Sequence, residues 1–133
     1  MKKLAIVAMV FSGFLSGVLM VSPVSAATVQ PGVVCSAIVD RACDGIDTMF
    51  PADVGRVYAH TRIVGMEGGG SVTHRWIYKG KVMAETSLKI GGPDWRTWSS
   101  KAIDPFWSGD WKVEIVDNSD GAVMDILEFL IKE

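Results

Sequence analysis

The chain has 133 residues, a formal net charge of −2 and only two cysteines and two histidines. The mild acidity excludes a protein whose business is a basic face for nucleic-acid phosphates. The length suits one core rather than several, and no close-spaced ligand pair suggests a structural zinc at His60 or His74.

Residues 1–26 read as a secretory signal peptide. Lys2 and Lys3 form a positive start, Leu4 to Val21 is mostly apolar, and Val24-Ser25-Ala26 provides a small-residue exit before Ala27. A retained anchor is the alternative, because the apolar run is just long enough to span a bilayer. The missing flanking charges favour cleavage, and Cys35 lies too far along, after Val34, to suit a lipoprotein. Losing the two lysines moves the charge from −2 to −4. The remaining residues, 27–133, are expected to form a single β-sandwich domain in the periplasm or outside the cell, with no membrane span. No polybasic run points to an anionic membrane surface.

Export would place Cys35 and Cys43 where disulfides persist. A bridge between them requires the SAIVDRA segment to turn back, and two thiols are the alternative. Ala27 to Pro31 reads as a flexible leader, Val33 to Val39 as the first strand, and Asp40 to Asp53 as a loop crossing an edge. Val57, Ala59, Thr61 and Ile63 alternate with Tyr58, His60, Arg62 and Val64, which predicts a half-buried strand with His60 solvated. Glu67 to Gly70 ends it in a permissive loop.

In the next hairpin, Val72, His74, Trp76 and Tyr78 form one row, and Val82, Ala84, Thr86, Leu88 and Ile90 form the apolar row of its partner. A plain two-residue turn at Lys79-Gly80 would put the Trp76 row beside Met83, Glu85, Ser87 and Lys89. A three-residue Tyr78-Lys79-Gly80 turn with a bulge at Gly80 instead sets Trp76 against Val82 and His74 against Ala84. Both apolar rows then share the core. In that row His74 is expected to be a structural residue bonded to a buried hydroxyl or carbonyl.

Gly91 to Asp94 is a turn, Trp95 to Ile103 a strand, and Asp104 to Gly109 a loop around Trp107. Trp111, Val113 and Ile115 mark another half-buried strand. Asn118 to Gly121 turns the chain, and Ala122 to Glu133 suits a strand better than a helix. About seven strands and no convincing helix predict an all-β fold, an immunoglobulin-like antiparallel β-sandwich.

Four of the five tryptophans fall between Gly91 and Trp111. Lys101 prefers water, so Trp95, Thr97, Ser99 and Lys101 are assigned to the outer face and Trp98 to the core. Arg96 is left to snorkel or stack. The candidate ligand-binding residues are therefore Trp95, Arg96, Ser99, Lys101, Trp107 and His74. Exposed Trp beside Arg suits a protein partner. The alternatives are a cell-wall or exopolysaccharide glycan stacked on the rings, and a plain core with no ligand. No cofactor is implied. A His74, Ser99 or Ser100, and Asp94 or Asp104 triad has no supporting spacing, so no catalytic residue is assigned.

The segments FPADVGRVYAHTRI, VTHRWIYKGKVMA and WRTWSSKAIDPFWSGDWKVEIVD, with the following DG turn, resemble the bacterial domain-of-unknown-function family 2914 over about residues 34–131. The resemblance implies an immunoglobulin-like extracytoplasmic module and supplies no activity. Arg75, where the family looks more often apolar, and Cys43 depart from its pattern.

Overall fold

The computed structural model describes residues 26–133. Apart from Ala26, the predicted signal peptide lies outside the described residues. Among the described residues there are nine strands: β1 Thr28–Val39, β2 Ala42–Ile46, β3 Met49–Phe50, β4 Arg56–Val64, β5 Gly70–Tyr78, β6 Lys81–Ile90, β7 Asp94–Ala102, β8 Gly109–Asp117 and β9 Val123–Ile131. They form a four-stranded sheet in the order β2-β1-β4-β7 and a five-stranded sheet in the order β3-β9-β8-β5-β6. Every pairing is antiparallel except that of β3 with β9.

The arrangement is an immunoglobulin-like sandwich. β1, β4 and β7 stand where strands A, B and E stand in that fold, and β9, β8, β5 and β6 stand as G, F, C and C′. The short β3 is a second part of strand A that has crossed to the opposite sheet. The immunoglobulin order A-B-E-D stops here at E, because β6 leads directly into β7 through Gly91–Pro93.

Alternation builds the core. Val57, Ala59 and Ile63 of β4, Val72 and Trp76 of β5, and Trp111, Val113 and Ile115 of β8 are buried between the sheets. Trp76 lies at the centre, edge-on to Phe129, and Trp111 stacks between Tyr78 and Phe129. Burying one such aromatic removes roughly 150–250 Å² from water, so the aromatic side chains of β5, β8 and β9 supply a large share of the apolar driving force.

Several expectations are corrected. Nine strands replace about seven, because the expected loop from Asp40 to Asp53 contains β2 and β3. The supposed leader is paired, with Thr28 and Val29 opposite Val64 and Ile63. In the β5–β6 hairpin the shared apolar side is present, but the turn differs. Lys79 and Gly80 are both left-handed (φ 50° and 80°), forming a two-residue turn with Tyr78 opposite Lys81. Such a turn matches the strand twist. The extra residue sits further along, where Trp76 opposes Ala84 after Ile77 opposes Val82, leaving Met83 as a bulge. The last segment is a strand, as expected. Cys35 and Cys43 are joined in a disulfide with Cα atoms 5.7 Å apart.

Candidate functional site

The register of β4 against β7 fixes which side chains share a face. Ala59 opposes Ser99, Thr61 opposes Thr97 and Ile63 opposes Trp95, while His60 opposes Trp98 and Arg62 opposes Arg96. Since Ala59, Thr61 and Ile63 are fully buried, the row Trp95, Thr97, Ser99 and Lys101 points inward and Trp98 points outward. This inverts the expected phase. Lys101 tolerates the inner row because it lies near the end of the sandwich, where its ammonium sits 4.9 Å from the Trp107 ring centroid and donates to Ala102 O.

The six sequence candidates therefore separate into distinct places. His74 and Ser99 are core residues. The Trp76 indole N–H donates to Ser99 Oγ at 3.1 Å, Ser99 Oγ lies 2.6 Å from His74 Nδ1, and His74 Nε2 lies 3.2 Å from Thr61 Oγ1. We assign the proton to Nε2, so that Ser99 O–H donates to Nδ1 and the imidazole donates to Thr61, which leaves both ring nitrogens partnered. Burial, with a smaller contribution from the charge of His60, lowers the His74 pKa to about 4. Sealed in this way, His74 and Ser99 cannot touch a ligand at the surface.

Trp95 is 41% exposed at the start of β7 and lies across Gly91, where an added Cβ would come within 2.6 Å of its ring. Trp107 belongs to an end cluster with Tyr78 and Trp111. Beside it the loop projects Phe106, 90% exposed, held by its backbone N–H donating to Asp104 Oδ1 at 2.9 Å. Of the six sequence candidates, Arg96 alone lies exposed on the outer face of the small sheet.

That outer face contains residues that sequence reasoning missed. His60, expected in solvent, is 8% exposed, because its ring is stacked on Trp98 (6° between planes, 5.8 Å between centroids) and its Nε2 N–H donates to Arg41 O at 3.1 Å. Arg56 Nη1 donates to Ser100 Oγ at 2.8 Å. Arg62 donates to both carboxylate oxygens of Asp94 at 2.8 and 2.7 Å. Those hydrogen bonds, with the nearby charge of Arg96, hold the Asp94 carboxyl below its usual range. Arg62 and Arg96 are direct cross-strand neighbours of like charge, an unfavourable pairing in itself. Asp94 serves Arg62, and Arg96 forms no ion pair with the described residues. Arg56 and Arg62, which share one side of β4, with Arg96 opposite Arg62 on β7, were the available signal for this face.

β7 is also an open edge. Among the described residues, no backbone hydrogen bond outside its ladder with β4 involves residues 94–102. The other long edge, β6, is interrupted by the Met83 bulge and carries Lys81, Glu85 and Lys89, two of the devices by which proteins protect edges. From Trp95 to Ser100, β7 has neither bulge nor proline, and its single charge is Arg96.

A second surface lies on the outer side of the larger sheet, a groove of about 690 Å³ with Met49, Ile77 and Leu130 beneath Lys79, Asp110 and Glu128. Its charges are mixed in sign. Among the described residues, no group of three or more His, Cys, Asp or Glu could hold a metal ion, and no helix is long and apolar enough to cross a membrane.

Residues 70–131, from β5 through β9, match the family model described as Protein of unknown function (DUF2914). No curated protein matches the chain.

Proposed function

We propose that this chain, which belongs to the DUF2914 family, is an exported, non-catalytic interaction module that docks a protein partner on the β7 edge and the outer face beside it. The observation that carries this reading is the nine-residue, unbulged edge strand with exposed Arg96 and half-buried Trp98 side by side on its outer row. Trp and Arg are the residues that most often dominate binding energy at protein interfaces. An unpaired ladder supplies main-chain donors and acceptors to whatever covers it. Export is supported by the Cys35–Cys43 disulfide, which persists in oxidising compartments.

A glycan is less well served by these rings. Trp107 is packed against Tyr78 and Trp111 and carries Lys101 over its face, and Trp95 lies on Gly91. Trp98 alone remains as a stacking platform, with His60 against it. The triad-like pair of Ser99 and His74 lies in the core, which argues against hydrolysis.

The test is site-specific photocrosslinking in cells. A photoreactive residue at Ser100, on the outer row, is compared with one at Ser119, in the exposed β8–β9 turn. Discrete protein adducts at position 100 and not at 119 support the reading. Equal labelling at both, or none, removes it.

A further inference from the structure

We infer that the docking mode is strand addition, with the β7 edge taking an extended polypeptide segment in which acidic and apolar residues alternate. This rests on the interaction-module reading and specifies its partner.

Three observations converge. The first is topological. In the immunoglobulin order A-B-E-D a further strand covers E, whereas here the chain passes from β6 to β7 without one, so the ladder of β7 ends in solvent. The second is incomplete burial on the same flank. The inner rows of β4, β5 and β8 are sealed, but Ala84, Thr86 and Leu88 of β6 and Thr97 of β7 are only half-buried, and Trp95 is exposed. A strand laid beside β7 would place every second side chain over this flank, and apolar residues there would extend the core.

The third is charge. The other side chains of the incoming strand would lie beside Arg96, Trp98 and Ser100 on the outer face, where Arg56 and Arg62 stand on the next strand. A carboxylate beside Arg96 relieves the Arg62–Arg96 repulsion, because Asp94 hydrogen-bonds to Arg62 and reaches Arg96 only through its charge. A lysine in its place would add a third cation. Arg96 therefore both guards the edge against basic strands and selects acidic ones, which is how a repulsive element produces specificity.

The probe is a capped nine-residue peptide alternating Glu and Val, compared with its Lys–Val counterpart and with a Glu–Val peptide N-methylated at alternate residues. Binding to the exported form is followed by amide hydrogen exchange and ¹H–¹⁵N spectra. The expected result is saturable binding of the Glu–Val peptide alone, with exchange slowed at alternate β7 amides. Arg96→Glu should weaken it by about tenfold or more and transfer the preference to the Lys–Val peptide. The inference is overturned by no binding, by binding indifferent to N-methylation, or by a self-associated dimer that already protects β7. Binding of an anionic polysaccharide without β7 amide protection would do the same. Protein adducts at position 100 together with a silent peptide would sink acidic strand addition and leave the interaction reading standing.

Discussion

His74 Nδ1 lies 2.6 Å from Ser99 Oγ, so a side chain of β5 in the larger sheet is bonded to a side chain of the open-edged β7 in the smaller one. Thr61 and Trp76 complete the group, and through it the edge strand is tied to the centre of the sandwich. The interior is thus not purely apolar, and this buried polar network lies directly beneath the open-edged β7.

The network makes stability depend on pH. The His74 pKa is lowered to about 4 in the fold, against 6.5 as the ordinary value. Between these values the unfolded chain binds a proton that the native chain does not, so stability rises with pH and declines as pH falls from 6.5 toward 4. The full difference amounts to about 3 kcal/mol. Denaturant titrations at about pH 4.5 and about pH 7 should show most of it in the parent chain. His74→Gln, which keeps an amide to bond Ser99 and Thr61 but cannot titrate, should lose that slope. The same slope in both proteins would exclude His74 as its source.

What could be read in advance divides along physical lines. The inner rows of β4, β5 and β8 fall where alternation puts them, Trp111 and Trp76 included, although His60, Ile77 and Val116 on the outer rows are buried as well. The phase of β7 is the inverse of the one its sequence suggests, because Lys101, by polarity an outward residue, belongs to the inner row. A lysine near the end of a sandwich can set its ammonium over the Trp107 ring and donate to the Ala102 carbonyl, whereas Ser99 is polar and buried because two partners from β5 reach it. Those partners are distant in sequence, so no local pattern reports them. The same holds for His60, whose burial depends on Trp98 and on the Arg41 carbonyl.

The disulfide should matter to stability more than its short loop suggests at first sight. Cys35 is fully buried and the bridge joins β1 to β2. On the chain-entropy model a loop of this size contributes about 2–3 kcal/mol, and for a domain of this length that corresponds to a fall of roughly 10–20 °C in Tm. Thermal melts with and without a reductant, with Cys35→Ala/Cys43→Ala as the comparison, measure it. A reduced protein melting with the oxidised one would show the bridge to be stabilising nothing.

Gly91 is required by Trp95 rather than by its backbone. A Cβ at this position would lie 2.6 Å from the ring, closer than atoms can approach, so Gly91→Ala should swing the indole outward. The cost should fall at the low end of about 1–3 kcal/mol, because the ring is already partly exposed and free to move. In a Trp95 single-tryptophan background the emission should shift to the red. Unchanged emission would mean that the turn, not the ring, had yielded.

Met83 gives the sharpest test of how the edges are managed. It is the surplus residue between the pairs Ile77–Val82 and Trp76–Ala84. Its deletion leaves every other partner in place and turns β6 into a regular strand, with Ala84, Leu88 and Ile90 still facing the core. A deletion inside a strand normally moves a whole row to the wrong face, so this one should be unusual in leaving the protein folded and cooperative. Met83 packs against the core in part, which sets a modest loss of stability, about 1–2 kcal/mol. The larger effect should be on association. Without the bulge, β6 presents a second long open ladder, and sedimentation velocity should show concentration-dependent self-association that the parent chain lacks. A variant that does not fold would show that the bulge sets the register. One that folds and stays monomeric would show that Lys81, Glu85 and Lys89 protect the edge without it.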